Sequence, residues 1–238
     1  MALNPQKLKI LAFAAHPDDA ELACSGTLIK EAKAGHAVGI VDLTTGDLGT
    51  RGTSEIRLQE AKASAEIMGL SVRENLFMPD GFFEETQENL LKVITALRTY
   101  QPDIVLANAI EDRHPDHGRA SALVSRACFL SGLARIETGQ ERWRPKSVYH
   151  YIQFRYIKPD FVVDVTDEWD VRMEAVRAFK SQFYDPRSDE PSTMIASEAF
   201  MKFIEARGRE MGGVIERPFG EGYTVERTPE VHSLTDLF

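Results

Sequence analysis

The chain has 238 residues, 43% of them apolar, and a formal net charge of −9. That apolar share is ample for a buried core and excludes a disordered chain, while the acidic balance disfavours tracking nucleic-acid phosphates or adhering to anionic membranes. Cys24 and Cys128 are far from any C-x-x-C spacing and read as core thiols.

From residue 8 onward short apolar runs alternate with amphipathic stretches, the pattern of β-α-β units on a parallel sheet. A first strand over 8–14 breaks off at His16-Pro17-Asp18-Asp19. A helix over 21–34 follows, with Glu21 near the positive end of its dipole and Gly35 at its C-cap. A second strand, 38–43, opens into the glycine-containing segment 44–57, where Arg51 reads as solvated and Arg57 can reach an anionic substrate group. Then come a helix over 54–68 closed by Gly69, a strand over 73–77, and a helix over 87–100 with Leu90, Ile94 and Leu97 on one face. The strand 103–107 leads to His114-Pro115-Asp116-His117 and a helix over 118–132. Beyond 133 the alternation loosens: strands over 147–152 and 161–165, a helix N-capped by Asp167, a loop over 184–192, and a last helix over 195–211 ended by Gly212-Gly213. No apolar stretch approaches the ~20 residues that span a bilayer. The run after Lys7 and Lys9 lacks a cleavage signal, so the cytoplasm is the expected compartment.

In an open parallel sheet of order 3-2-1-4-5, ligands bind at the carboxyl ends of the strands beside the point where the winding reverses. The two His/Asp turns follow the first and fourth strands, which are neighbours in that order. Catalytic zinc sites take three ligands from His, Asp and Glu and leave a position open; His16, Asp19 and His117 meet that count. A cation there acidifies water and polarises a carbonyl. Asp18 is then the expected general base and proton donor to a leaving amine. His114, as an imidazolium held by Asp116, is the expected oxyanion stabiliser. A lone His–Asp pair in a loop is commonly a capping arrangement; two at strand ends point to a metal-dependent hydrolase. His36, His150 and His232 lack acidic neighbours at ligand spacing and read as structural. A dinucleotide site is excluded because the first turn carries Asp18, Asp19 and Glu21 where pyrophosphate requires glycines.

Ala14-Ala15-His16-Pro17-Asp18-Asp19-Ala20-Glu21 and His114-Pro115-Asp116-His117 resemble the paired motifs of the PIG-L/LmbE-type zinc N-deacetylases. The stretch from Asp42 to Arg57, Glu111-Asp112-Arg113 and Phe219-Gly220-Glu221-Gly222 resemble the bacillithiol-forming branch, whose substrate is N-acetylglucosaminyl malate. The resemblance implies one Rossmann-like α/β domain over 1–238, a mostly parallel twisted sheet flanked by helices. It implies Zn2+ on His16, Asp19 and His117, with Fe2+ also suited to these donors. Asp18 is implied as base and acid, His114 as oxyanion stabiliser with Asp116, and Arg57 as a substrate contact. It also implies an N-acetylglucosamine conjugate as substrate and a homo-oligomer such as a hexamer. Other N-acetylglucosamine compounds, amides of thiol conjugates, and a non-catalytic metal- or sugar-binding role stay open.

Overall fold

Strand β1 (Ile10–Ala14) carries only apolar residues and is buried along its whole length, which demands cover on both faces. The computed structural model, which describes residues 7–237, supplies that cover with helices on either side of a seven-stranded sheet. The other strands are β2 (Val38–Thr44), β3 (Val72–Met78), β4 (Ile104–Ala107), β5 (Ser147–Tyr151), β6 (Phe161–Asp164) and β7 (Gly220–Val225), in the spatial order β3-β2-β1-β4-β5-β7-β6. The first five are parallel, and β7 runs antiparallel to both β5 and β6. The expected α/β architecture and the order 3-2-1-4-5 are therefore present, extended by one antiparallel pair.

Alternation along β1 sorts its side chains between two cores. Leu11 and Phe13 pack with Val93, Leu97, Leu123 and Val124 from helices α4 (Gln87–Tyr100) and α5 (Pro115–Ser131). Ile10, Ala12 and Ala14 pack with Leu28 and Ala175 from α2 (Ser25–Lys33) and α6 (Trp169–Arg177). A third cluster, of Ala61, Trp169, Val176, Phe179, Phe183, Phe200 and Ile204, joins α3 (Ser54–Met68) and α6 to α7 (Glu198–Val214). Thr53, Thr86 and Ser197 cap α3, α4 and α7 by accepting from Ile56, Asn89 and Phe200 amides. Among the described residues no helix is long and apolar enough to cross a membrane.

Several boundaries differ from expectation. The helix predicted over 21–34 is two pieces, α1 (Asp19–Ala23) and α2, broken at Cys24 with φ −138°. The helix predicted from 118 starts at Pro115, which its fixed φ suits for a first helical position, so Asp116 and His117 are helical. Asp167 caps nothing; it lies in a 3-10 turn over Thr166–Glu168, and Asp164 accepts from the Thr166 amide and hydroxyl instead. Gly212 and Gly213 do not end α7. A Cβ on Gly212 would stand 2.5 Å from the Arg217 carbonyl oxygen and 2.7 Å from the Phe219 nitrogen, so glycine is needed there for close approach. Strand β7 has no counterpart among the expected elements, and its Gly220 and Gly222 are residues that strands disfavour. They are required by packing, with a Cβ on Gly222 falling 2.7 Å from Met211 Sδ.

Strand β7 also anchors α2. The Glu221 carboxylate accepts from the Gly26 and Thr27 amides at 2.9 and 2.7 Å and from Arg172 Nε at 3.0 Å, capping α2 across 195 residues of sequence. Removing it leaves the buried Arg172 Nε–H and two helix-end amides without an acceptor. We therefore expect Glu221→Ala to cost about 3–5 kcal/mol, read as a lower urea midpoint; an unchanged midpoint would contradict this role.

Candidate active site

The carboxyl ends of the parallel strands form one rim, and every group of interest sits there. His16–Asp19 follow β1, Gly46 and the loop leading to Arg57 follow β2, Asp80 follows β3, Asn108–His117 follow β4, and Gln153 follows β5. Parallel pairing of Ala12 with Leu106 sets the β1 and β4 turns side by side. The three imidazoles come together as a result, with ring centroids 4.7 Å apart for His16–His114, 5.9 Å for His16–His117 and 5.3 Å for His114–His117.

Asp19 is the hub. Its Oδ1 stands 3.0 Å from His117 Nε2 and its Oδ2 3.4 Å from His16 Nδ1. Each of these histidines turns its other nitrogen to a carboxylate: His16 Nε2 lies 3.0 Å from Asp80 and 3.2 Å from Asp116, and His117 Nδ1 lies 2.7 Å from Asp112. Asp112 is held in turn by the Arg113, Phe154 and Arg155 amides. That arrangement orients His16 Nδ1 and His117 Nε2 toward Asp19, as outer carboxylates do for histidine ligands of metals. Donor atoms of His16, His114 and His117 fall within 4.8 Å of one another, as do those of His16, Asp80 and Asp116. Buried and half-buried imidazole and carboxylate donors at this spacing fit a divalent cation such as Zn2+ or Fe2+.

Asp18 points elsewhere, as its tight turn implies, and its backbone sits at φ +118°, a region that costs a non-glycine residue about 1–3 kcal/mol. Arg57 pins it: Nη2 donates to Asp18 at 3.3 Å and to the Pro17 carbonyl at 2.6 Å, and Nη1 donates to the Gly46 carbonyl at 2.9 Å. Gly46 is obligatory here, since its φ is +69° and a Cβ would fall 1.7 Å from Arg57 Nη1.

Burial pushes the Asp18 carboxyl up to about 7, against the opposing pull of Arg57. For Asp19 burial acts the same way but is overcome by His117 and His16, which hold it well below the usual carboxylate range. Burial would lower the His117 imidazole, yet Asp19 and Asp112 carry it up to about 9, and Asp116, Asp19 and Asp80 likewise raise His16. His114 moves the other way, lowered by burial and by the neighbouring His16 and His117.

This corrects one expectation. The Asp116 carboxylate does not hold His114 as an imidazolium: it faces His16, the Gly81 amide at 3.0 Å and Arg119 Nη1 at 2.9 Å. What reaches His114 is the Asp116 backbone N–H, donated to Nδ1 at 3.3 Å. A nitrogen that accepts carries no proton, so His114 is a neutral imidazole with its hydrogen on Nε2. Arg51, expected to be solvated, is buried and donates to Ser188 Oγ at 2.7 Å. Glu21 does more than face a helix dipole: it is fully buried, pairs with Arg73 and accepts from Ser64 Oγ at 2.7 Å. His36 and His150 lie outside the site, against Glu31 and against Ser121 and Glu226, and both cysteines are buried and free.

The site floors a cavity of about 290 Å³. Leu22, Ile195, Phe200, Phe203 and Ile204 make an apolar wall, and Arg113, Gln153 and Arg207 join the polar lining. Sequence reasoning missed Asp80, Asn108 and Gln153. Each is a single polar residue just past a strand end, and position relative to the strand was the one available signal.

Residues 11–128 match the family described as PIG-L: GlcNAc-PI de-N-acetylase. Diacetylchitobiose deacetylase of Thermococcus kodakarensis is 32% identical over 189 residues, covering 74% of this chain and 70% of that protein. The 4-oxalmesaconate hydratase of Pseudomonas putida is 26% identical over 196 residues, 75% of each chain. Among solved structures, a conserved protein from Thermus thermophilus superposes with a TM-score of 0.85 at 33% identity, covering 95% of this chain and 98% of that one. The N,N'-diacetylchitobiose deacetylase of Pyrococcus horikoshii gives 0.82 at 26% identity, covering 97% and 89%.

The neighbouring carboxylates raise His117 to about 9 and raise His16 as well, so both imidazoles hold a proton more tightly than a free histidine does. A cation must displace those protons. Zinc titrated into chelator-stripped protein should release between one and two protons per ion, measured by calorimetry in buffers of differing ionisation enthalpy, and its apparent affinity should rise from pH 6 to pH 8. Binding without proton release would place the ion on other residues.

Proposed function

Because the chain belongs to the PIG-L family, we propose that it is a metal-dependent N-deacetylase that hydrolyses the acetamide of an N-acetylglucosamine conjugate. The observation that carries the reading is a buried carboxyl, Asp18, titrating at about 7 beside the His16–Asp19–His117 cluster on a cavity floor. His16, Asp19 and His117 would hold the ion. Asp19 is preferred to His114 as third ligand because it is anionic and already touches both imidazoles. A bound divalent cation supplies Lewis acidity, making water more acidic and the acetyl carbonyl more electrophilic.

The chain's own groups do the rest. Asp18 takes a proton from water as the water oxygen bonds to the acetyl carbon, then delivers it to the amide nitrogen as the C–N bond breaks, releasing acetate and a free amine. A carboxyl poised near neutrality suits both transfers. His114 Nε2–H donates to the acetyl oxygen as negative charge develops there. Arg57 keeps Asp18 aimed and partly ionised.

For the conjugate we favour N-acetylglucosaminyl malate, in the cytoplasm and with a homo-oligomeric enzyme. Arg57, expected to meet an anionic substrate group, is occupied by Asp18 and two carbonyls. Arg113 is the better candidate: it lines the cavity, stacks 5.0 Å over Phe154, and has no carboxylate partner among the described residues. Arg207, by contrast, is paired with Glu210.

Acetate release should be measured side by side from N-acetylglucosaminyl malate, N,N'-diacetylchitobiose and a neutral N-acetylglucosamine glycoside. Preference for the malate compound is expected, and loss of that preference in Arg113→Met. No acetate from any of them would refute the deacetylase reading. Asp18→Ala should keep metal content and cut turnover by a factor of ~100 or more; unchanged turnover would remove Asp18 from its role. Arg57→Met removes the charge that lowers the Asp18 pKa, so that pKa rises and the acid limb of kcat/KM moves to higher pH. A limb that stays or moves down would overturn the pairing.

A further inference from the structure

Among the described residues Gln153 makes one side-chain hydrogen bond, from Nε2 to Asp19 Oδ1 at 2.8 Å. It is 9% exposed, and its Oε1 is buried without a partner among the described residues. A buried acceptor left unpaired costs about 1–3 kcal/mol, so this carboxamide is not placed by the needs of its own oxygen. A carboxylate only accepts, which fixes the direction of the amide: the nitrogen must face Asp19.

A second carboxamide mirrors it. Asn108 Nδ2 donates to Asp19 Oδ2 at 3.2 Å, while Asn108 Oδ1 accepts from the Ala15 amide at 2.9 Å. Asn108 comes from the end of β4 and Gln153 from the end of β5, so Asp19 is gripped at both oxygens from the two strands on one side of its own. Both donors are neutral. An arginine or lysine in either place would orient Asp19 as well but cancel its charge and repel a cation, whereas an amide orients the carboxylate and leaves its full charge facing the imidazoles.

Resting on the reading of Asp19 as a metal ligand, we propose that Gln153 is a positioning residue that, with Asn108, fixes the Asp19 carboxylate for the divalent cation without neutralising it. Cation affinity is the direct readout, measured by competition of Zn2+ against a chromophoric chelator. Gln153→Leu, which keeps the volume and loses the donor, should bind Zn2+ about 10–100-fold more weakly, the usual scale for losing a partner of a ligand. Gln153→Lys should bind weaker still, because it restores a donor but adds positive charge. Excess Zn2+ should recover most of the kcat of the Leu variant, a rescue that a merely structural role would not give. Equal Zn2+ affinity in folded wild-type and Leu variants, or a Lys variant that binds as wild type does, would overturn the proposal. Wild-type protein that binds no Zn2+ at all would instead overturn the reading of Asp19 on which it rests.

Discussion

Parallel pairing of β1 with β4 is the constraint on which the rest depends. Ile10 lies against Ile104 and Ala12 against Leu106, so two turns separated by about a hundred residues leave the sheet as neighbours. A parallel pair needs a long crossover, and the crossovers through β2 and β3 are what deliver the loop bearing Gly46 and the turn bearing Asp80 to the same rim. The site is thus a property of strand order. Slip the β1–β4 register by one residue and His16 and His117 no longer share Asp19.

The second feature is the density of buried charge. Asp18, Asp19, Asp80, Asp112 and Asp116 surround His16 and His117, all of them at most 8% exposed. Burying charges is costly unless each is paired and hydrogen-bonded. Here each carboxylate has a partner of defined geometry: an imidazole, backbone amides, a guanidinium or a carboxamide. Asp18 differs from the others in its ionisation: burial outweighs its arginine and pushes its carboxyl up to about 7. Beneath the rim a second buried network of Glu21, Arg73 and Asp42 ties α1, β2 and β3 together, so the acidic character of the first turn continues into the scaffold.

Much of this was readable before any fold was known. The run Ile10–Ala14 is apolar at every position, Pro115 follows His114, and His and Asp recur after two such runs; these local facts suffice for parallel strands, for turns at their ends and for imidazole and carboxylate groups in those turns. Other features depend on distant partners and have no local trace. Gly220 and Gly222 are poor strand formers by themselves, and it is antiparallel pairing with β6 that makes them a strand. Arg51 reads as solvated until Ser188 and Glu190 cover it. A single Asp80, Asn108 or Gln153 carries no pattern, because a polar residue after a strand is ordinary until its neighbours are known.

Sequence by itself determined the class of fold and the kinds of side chain gathered in the two turns, because hydrophobic periodicity and the residue types within one turn are short-range properties. Tertiary structure alone decided the pairings within the cluster. It assigned Asp116 to His16 rather than His114, closed Arg57 onto Asp18, and set two carboxamides on Asp19. Hydrogen-bond partnership falls off within an ångström and turns on direction, so it is settled by where separate strands end, and nothing in the linear order of residues records that.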